Sequence, residues 1–284
     1  MHIIKRALAL CFALLTLVSA TAIAAEEILS KTLEESYSVE TGSDTLAISI
    51  EQWHYEYKKH DLRFFIAHVK TADPAQMQTA FAGEKYSRDN AEATSAIAAR
   101  HDAVIAINGD YYNFKESNGV VIRNGELYRD EESSRDLLLV MEDGSFSALP
   151  RRTHKKGEGQ ALLDSGVTQC FTFGPILVDG GTAVELPEKY AIATRDTQRE
   201  PRTGIGQVEN GHYVLIVADG RRNDWSEKGM TLQELQQVFV EQGCRIAYNL
   251  DGGGSTTLVL NGERINKSSG SRERDVSDII YFTK

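Results

Sequence analysis

The stretch that decides the fold is residues 231–255, TLQELQQVFVEQGCRIAYNLDGGGS. Thr231 and Glu234 have the spacing of a capping box and Gly243 is a residue type that ends helices, so we predict a helix over 232–242. Its apolar residues share one face, which should pack on a sheet. They are Leu232, Leu235, Val238 and Phe239. A short apolar strand follows and leads into Asn249-Leu250-Asp251.

The same order of helix, strand and Asn-x-Asp occurs 141 positions earlier in the chain. The Ala-rich segment 92–100 is predicted to be a helix, and the apolar segment after it a strand that leads into Asn108-Gly109-Asp110. In a strand, residues i and i+2 point the same way, so each Asn and Asp should project together from a strand end, where ligands tend to sit. We hypothesise that both strands join one sheet with the same polarity and that the two tripeptides share one pocket. The alternative is that each simply starts a turn.

Strand and hairpin patterns dominate the rest of the chain. Apolar residues alternate over 46–57, and 62–69 is a second extended run, which predicts a hairpin turning at 58–61. Five Asn-Gly or Asp-Gly turns between apolar segments predict five more hairpins. They are Asn124-Gly125, Asp143-Gly144, Asp179-Gly180, Asn210-Gly211 and Asn261-Gly262. We expect an α+β fold in a single domain: a mainly β mixed sheet with several hairpins and at least two packed helices.

The composition and the amino terminus restrict the class of protein. Hydrophobic residues make up 41% and charged residues 25% of the chain, as in packed globular proteins. Residues 1–24 have the basic start, apolar run and small-residue exit of a secretory signal peptide, so the mature protein should be secreted, periplasmic or extracellular, without a stable membrane span after signal cleavage. Signal loss would change the net charge from −10 to −12, which argues against nucleic acid as a partner.

Two cysteines, Cys170 and Cys244, lie beyond the signal segment. In an oxidising compartment they would lie near each other and could pair as a disulfide. Two buried thiols are the alternative. Neither cysteine has the Cys-x-x-Cys spacing of a zinc or redox site.

Three consecutive glycines follow the second tripeptide, at Gly252, Gly253 and Gly254, and lead into Ser255. Glycine is costly in backbone entropy, so we expect a ligand to approach the backbone closely here. The consecutive amides would then form an anion-binding concavity. A loose hairpin turn is the alternative.

Arginines flank the predicted strand pair around Asn210-Gly211. Arg202 precedes one strand and Arg221 follows its partner, so both should lie at the same end of the sheet. A guanidinium donates in a bidentate fork, so this end is a plausible seat for a phosphate or carboxylate. Exposed surface positions are the alternative, above all for Arg222 and Arg272.

Six segments resemble, in their order, motifs of the phosphodiester glycosidase family. They are Asn108 to Tyr112, Gly119 to Gly125, Phe173-Gly174-Pro175, Pro201-Arg202-Thr203, Val217 to Arg221, and Asn249 to Ser255. The resemblance covers roughly residues 103–282, with Gly204 standing where alanine is expected. It implies a hydrolase that cleaves between the anomeric carbon of a sugar and a phosphodiester. The domain plan is then a signal peptide at 1–24, N-terminal strands at 25–70 and a catalytic domain at 71–284.

The resemblance also implies roles for the residues found above. Asp251 is the candidate base or oxocarbenium stabiliser, and Asp219 is its alternative. Candidate substrate-binding residues are Asn108, Asp110, Arg202, Thr203, Arg221, Asn249, Gly252, Gly253, Gly254 and Ser255. The arginines and glycine amides would take phosphate or a developing oxyanion, while the asparagines and Asp110 would bind sugar hydroxyls or orient the carboxylates.

The expected partner is a phosphosugar or glycan phosphodiester substrate, and no cofactor is expected to be required. Two other functions stay open. One is a noncatalytic envelope module that binds phosphosugar polymers through the same arginines. The other is a calcium-dependent module whose ion is held by Asp110, Asp251 and asparagine oxygens, because hard cations prefer oxygen ligands.

Overall fold

The computed structural model describes residues 31–57, 60–112, 119–186, 189–190, 194–195, 198–221 and 228–284. The predicted signal peptide, part of the predicted turn at 58–61, and Arg222 lie outside the described residues.

The described residues form strands and three α-helices. The strands are β1 (Lys31–Val39), β2 (Leu46–Tyr57), β3 (His60–Thr71), β4 (Met77–Phe81), β5 (Glu92–Ala93), β6 (Ile105–Asn108), β7 (Val120–Arg123), β8 (Glu126–Asp130), β9 (Leu137–Met141), β10 (Phe146–Leu149), β11 (Val167–Phe171), β12 (Ile176–Asp179), β13 (Thr182–Ala183), β14 (Lys189–Tyr190), β15 (Thr194–Arg195), β16 (Arg202–Glu209), β17 (His212–Ala218), β18 (Ile246–Asn249), β19 (Leu258–Leu260), β20 (Glu263–Arg264), β21 (Asp275–Val276) and β22 (Asp278–Phe282). The helices are α1 (Thr94–Arg100), α2 (Gly159–Asp164) and α3 (Leu232–Glu241). Within this described part, no helix has the length and apolar character needed to cross a membrane.

Three sheets build the molecule. The largest has the order β1-β2-β3-β17-β16-β18-β12-β13. Two five-stranded sheets have the orders β10-β9-β11-β7-β8 and β20-β19-β6-β22-β4. The pairs β14-β15 and β5-β21 form two short ribbons. Each strand pair in the described ranges is antiparallel, as expected where hairpins make most connections.

The main core lies between the eight-stranded sheet and the two smaller sheets. It joins residues such as Ile50 and Val217 of the large sheet to Ile107 of β6 and Leu138 of β9. Helix α3 covers the opposite face of the large sheet through its four predicted apolar residues, all of them buried. Helix α1 packs on the outer face of the sheet that contains β6. The layers therefore run α3, large sheet, small sheets, α1.

The predicted fold class is confirmed: a mostly β, α+β single domain. All five Asn-Gly or Asp-Gly hairpins form, and β2 pairs with β3 up to Tyr57 and His60. Helix α3 has the predicted capping box between Thr231 and Glu234. Helix α1 begins only at Thr94, because the two residues before it form β5 and pair with β21.

The prediction that the two Asn-x-Asp strands share one sheet is wrong. β6 lies in a five-stranded sheet between β19 and β22, whereas β18 lies in the large sheet between β16 and β12. Both strands have antiparallel neighbours, so no right-handed parallel crossover relates them. The two strands belong instead to sheets that face each other across the main core.

The two cysteines are buried free thiols, contrary to the disulfide alternative. Cys170 packs in the cluster around β7, β9 and β11, and Cys244 packs in a different cluster under α3. The expectation that the two residues lie near each other therefore gains no support from the core packing. Burial raises the pKa of the Cys244 thiol to about 12, so it stays protonated at neutral pH.

Gly204 lets α3 lie close to the large sheet. A Cβ atom at this position would lie 2.7 Å from Cε2 of Phe239 and 3.2 Å from the carbonyl oxygen of Tyr248. The ring of a buried helix residue thus occupies the space that the alanine expected from the resemblance would need. The departure at this position follows from helix packing.

We expect Gly204→Ala to lower the free energy of unfolding by about 1–3 kcal/mol, the usual cost of overpacking a core. Urea denaturation would measure the loss. Gly270→Ala is the matched control, because its Cβ would meet nothing nearer than 3.8 Å, and a change within about 0.5 kcal/mol is expected. Equal stability of the two variants would show that Phe239 can move aside.

Candidate active site

A cavity of about 170 Å³ opens at the end of the large sheet where β16 begins and β18 ends. The predicted site residues that line it are Arg202, Arg221, Asn249, Asp251, Gly252, Gly253 and Gly254. Its other lining residues are Phe173, Gly174, Pro175, Glu200, Leu232 and Arg274. As expected, Arg202 and Arg221 lie at one end of the sheet, because Arg202 pairs with Ala218 on the neighbouring strand.

The two Asn-x-Asp tripeptides meet directly behind this cavity. Nδ2 of Asn108 donates to the carbonyl oxygen of Asp251 at 2.6 Å, and the Asp251 amide donates to the carbonyl oxygen of Gly109 at 3.3 Å. The Thr203 hydroxyl donates to Oδ1 of Asn108 at 2.8 Å. Asn108 and Thr203 are fully buried and do not line the cavity. Through these bonds, Asn108 and Thr203 fix the position of the loop that carries Asp251.

Asp110 is also buried beneath the cavity wall. Its carboxylate accepts the amides of Thr172 at 2.9 Å and Phe173 at 3.0 Å. Nη2 of Arg123 donates to it at 3.0 Å, and Nε of the same guanidinium donates to Asp278 at 2.8 Å. Asp110 thereby orients the Phe173 segment that lines the cavity, which is neither of the roles expected for it, since it was expected to bind sugar hydroxyls or to orient the catalytic carboxylates.

Asp251 supplies a carboxylate to the cavity. Burial raises its pKa from 3.8 to about 6, while the Ser255 hydroxyl, the Arg274 guanidinium and the Gly252 amide oppose the rise. The Gly252 amide donates to Oδ1 at 2.9 Å. A carboxylate with a pKa near neutrality can take a proton from water and give it up again.

Asn249 presents a fixed hydrogen-bond acceptor. Nδ2 donates to the carbonyl oxygen of Gly174 at 2.7 Å, and this bond fixes the orientation of the side-chain amide. Oδ1 is buried and has no hydrogen-bond partner among the described residues, and the residue lines the cavity. A buried acceptor without a partner costs free energy, so this atom is suited to a donor brought by a ligand.

Arg202 is a buried guanidinium held by main-chain oxygens. Nε donates to the carbonyl oxygen of Met230 at 3.0 Å and Nη2 to that of Gln198 at 2.8 Å. Burial lowers the pKa of Arg202 to about 10, with the charge of Glu200 opposing the shift. The side chain is therefore still positive at neutral pH.

Two further guanidinium groups line the cavity. Arg221 forms an ion pair with the buried Glu200 through its Nε atom. Arg274 is exposed, and its Cζ atom lies 5.7 Å from the centroid of the Tyr111 ring. The three arginines and two carboxylates give the cavity an excess of one positive charge when Asp251 is ionised.

Gly252, Gly253 and Gly254 allow other parts of the protein to pack closely against their backbone. A Cβ atom at Gly252 would lie 2.7 Å from the carbonyl oxygen of Pro201, and one at Gly254 would lie 2.9 Å from Cδ of Arg274. Gly253 has φ of +60°, and its amide donates to the Pro201 carbonyl at 2.8 Å. Two of the three amides thus donate within the protein, contrary to the predicted three-amide anion concavity.

Asp219, the alternative base, is placed elsewhere. It is buried, accepts Nδ2 of Asn266 at 3.2 Å and the Lys267 amide at 3.0 Å, and does not line the cavity. Its carboxylate therefore orders the chain after β20. Ser255 is likewise buried beneath Asp251 and does not line the cavity.

The calcium alternative gains no geometric support. Asp110 accepts from the Arg123 guanidinium, so its carboxylate is already paired with a cation of the protein. Within the described ranges, no three His, Cys, Asp or Glu side chains are grouped so that they could hold a metal ion.

Glu200 is the main residue that the sequence reasoning missed. It lies in the cavity wall next to Arg221, and it is almost completely buried. Gln198, Glu200 and Arg202 alternate in the sequence, and residues at this spacing in an extended chain face the same way. This alternation in the sequence could have indicated that Glu200 faces the same side as Arg202.

Comparison with known proteins relates the chain to one family by sequence. A model described as phosphodiester glycosidase matches residues 101–283. The human N-acetylglucosamine-1-phosphodiester alpha-N-acetylglucosaminidase is 35% identical over 103 residues, which are 35% of this chain and 19% of that protein. The uncharacterized protein YomE of the SPbeta prophage, from Bacillus subtilis (strain 168), is 29% identical over 205 residues, which are 70% of this chain and 30% of that one. The chain thus spans less than a third of these relatives.

Solved structures share the fold. The catalytic domain of the zebrafish N-acetylglucosamine-1-phosphodiester alpha-N-acetylglucosaminidase superposes with a TM-score of 0.68 at 18% identity, covering 89% of each chain. A hypothetical protein from Synechocystis superposes with a TM-score of 0.57 at 17% identity, covering 90% of this chain and 68% of that one. At these identities the likeness concerns the fold alone.

Proposed function

The chain belongs to the phosphodiester glycosidase family, and on that premise we propose that it hydrolyses the bond between a sugar's anomeric carbon and a phosphodiester. The observation that carries this proposal is the composition of the cavity. Three arginines line it beside the Asp251 carboxylate, whose pKa is raised, and the buried Asn249 acceptor. The arginines suit phosphate, the carboxylate suits activation of water, and the acceptor suits a sugar hydroxyl.

The proposed reaction breaks the bond between the anomeric carbon and the phosphate oxygen. Asp251 takes a proton from water as the water oxygen bonds to the anomeric carbon. The electron pair of the broken bond stays on the phosphate oxygen, so the phosphate charge grows from one negative charge towards two. Arg202, Arg221 and Arg274 stabilise this growing charge, and the phosphate monoester is a leaving group that needs no strong general acid.

Asn249 would orient the sugar. Nδ2 already donates to Gly174, whereas Oδ1 has no partner among the described residues and can accept a hydrogen bond but not donate one. A sugar hydroxyl or an N-acetyl N–H would satisfy it. A simple alkyl phosphodiester would leave the acceptor unpaired.

The test is turnover of the methyl phosphodiester of N-acetylglucosamine 1-phosphate, followed by release of reducing sugar, with and without EDTA. Turnover that survives EDTA supports the proposal and the expectation that no cofactor is required. Turnover lost with EDTA and restored by Ca²⁺ would support the calcium alternative. Binding of the diester without any turnover would support the noncatalytic envelope module.

Export is part of the proposal. The signal-like pattern at 1–24 carries this part. The amino-terminal sequence of the protein recovered from outside the cytoplasm would test it. Protein found in the cytoplasm with residues 1–24 still attached would contradict export.

We expect Arg202→Lys to lower kcat/KM for the diester by at least about tenfold, because lysine keeps the charge but loses the planar fork. Lysine also cannot hold both the Met230 and Gln198 carbonyls, so unfolding stability should fall by about 1–3 kcal/mol. Steady-state kinetics and thermal unfolding measure the two effects. Arg272→Lys at an exposed position is the control, and equal kinetics in both variants would remove Arg202 from the phosphate site.

We expect the acidic limb of the pH profile to reflect Asp251. As a base it must be ionised, so kcat/KM should fall about tenfold per pH unit below about pH 6 and level off above it. A pH series of kcat/KM with the diester measures this limb. Activity that instead rises as the pH falls through 6 would assign Asp251 the opposite role, that of a proton donor.

A further inference from the structure

We propose that Glu200 is a positioning residue that holds Arg221 over the glycine loop so that the terminal nitrogens of Arg221 bind the phosphodiester. The inference rests on the proposed function for the identity of the ligand.

The backbone of Arg221 is in an unfavourable conformation. Its φ is +55°, in the left-handed region that side-chain-bearing residues rarely adopt. Such a conformation is unfavourable for a residue with a side chain and persists only where the surroundings hold it in place. Arg221 is the third residue after the end of β17, so this turn redirects the chain and places the side chain at the cavity.

The guanidinium of Arg221 is oriented by two contacts. Its Nε donates to Oε2 of Glu200, and its terminal end lies over Gly253. A Cβ at Gly253 would be 3.2 Å from Nη1 and 3.6 Å from Nη2 of Arg221, so glycine provides the room for both atoms. Nε is thus engaged by Glu200, and the Nη atoms are the donors left on the cavity side.

Glu200 is itself rigidly held. Its backbone pairs with Met230 through hydrogen bonds of 3.2 and 2.8 Å in the two directions. Its Oε1 accepts Nε2 of Gln198 at 2.6 Å, and its side chain is 5% exposed while that of Arg221 is 52% exposed. A fixed, buried carboxylate can therefore restrain a largely exposed arginine, which would otherwise lose more side-chain entropy on binding.

The pairing also sets the charge that the cavity offers. Glu200 neutralises one of the three arginines, so the cavity is suited to the single negative charge of a phosphodiester more than to the double charge of a phosphate monoester. Removal of Glu200 would both release Arg221 and shift this preference towards the monoester.

The test compares Glu200→Gln, Arg221→Asn and the double variant, since asparagine tolerates a positive φ. Two quantities are measured: kcat/KM with the methyl diester of N-acetylglucosamine 1-phosphate, and the Kd of that diester by calorimetry in an Asp251→Asn background. We expect each single variant to lose about tenfold in both quantities, and the double variant to lose no more than Arg221→Asn alone. The acidic limb of the pH profile should stay in place in Glu200→Gln.

The control is Glu234→Gln, which removes another buried carboxylate paired with an arginine, Arg199, outside the cavity wall. Its Kd should stay within about twofold of the parent. If Glu200→Gln does not fold, Glu200→Asp keeps the charge but falls short of Nε, and a loss of affinity is again expected.

An unchanged Kd in the Glu200 variant would overturn the proposal, as would losses that multiply in the double variant. A pH limb that disappears in Glu200→Gln would make Glu200 the titrating base. Absence of turnover in the wild type, with the predicted pattern of Kd values intact, would refute the hydrolase function and leave the positioning role standing.

Discussion

Asp251→Asn is expected to lower kcat for the sugar phosphodiester by at least ~10², the lower range for a positioned acid–base group. Asparagine keeps the shape and can still accept the Gly252 amide, so the cavity should be preserved. Steady-state kinetics measures the loss. Asp110→Asn is the comparison, because Asp110 orients the wall without lining the cavity, and it should harm kcat less.

The same substitution should stabilise the protein at neutral pH. Folding raises the pKa of Asp251 from its usual 3.8 to about 6. The contribution of this carboxyl to the free energy of unfolding is therefore fully present below pH 3.8 and is lost as the pH rises through 6. A neutral asparagine removes that loss, which we place at about 1–3 kcal/mol at pH 7.5. Thermal unfolding at pH 7.5 and pH 4 would measure it.

The gain in stability of Asp251→Asn over the wild type should be smaller at pH 4, because Asp251 is then protonated in the folded wild-type protein. An active Asp251→Asn enzyme would refute the base assignment. An unchanged stability at pH 7.5 would show that the carboxylate is hydrated in the open cavity.

Arg123→Met is expected to destabilise the fold by about 3–5 kcal/mol, the usual cost of removing one partner of a buried ion pair. Arg123 is buried between Asp110 and Asp278. Its Nε donates to Asp278 and its Nη2 donates to Asp110. Methionine would leave two buried carboxylates facing each other without a cation. Urea denaturation would measure the loss.

Arg100→Met is the matched control for this variant. Arg100 also pairs with two carboxylates, Glu84 and Glu92, but its side chain is 38% exposed. Surface pairs contribute about 0–1 kcal/mol, so a small change is expected. If Arg123→Met does not fold, adding Asp278→Asn should restore part of the yield. Equal stability of the Arg123 and Arg100 variants would contradict the buried-pair account.

The pocket hypothesis is wrong for the first of the two tripeptides, because Asn108 and Asp110 do not line the cavity that Asn249 and Asp251 line. Asn108 and Asp251 do meet, through the hydrogen bond from the Asn108 amide to the Asp251 carbonyl. They meet because two separate sheets face each other, not because their strands share one sheet. Spacing along a strand reports the direction of side chains, but it carries no information about which sheet the strand will join.

The glycine interpretation shows the same limit. From the sequence, a ligand was expected to approach the backbone at Gly252 to Gly254, but the groups found close to it belong to the protein itself. The approaching groups are the Pro201 carbonyl, Arg221 and Arg274, and two of the amides that were expected to hold an anion donate within the protein. The identity of a close neighbour depends on segments far away in the sequence.

The sequence by itself determined the hairpins, helix α3 with its capping box and apolar face, and the set of polar residues around the strand ends. These features follow from turn chemistry, alternation and helical periodicity, which act over a few residues. Only the tertiary structure decided that Asn249, Asp251 and the arginines open to the cavity, while Asn108, Asp110, Thr203 and Asp219 are buried as supports. Whether a polar side chain faces a cavity or a buried partner depends on the packing of segments distant in the chain, and local spacing does not encode that packing.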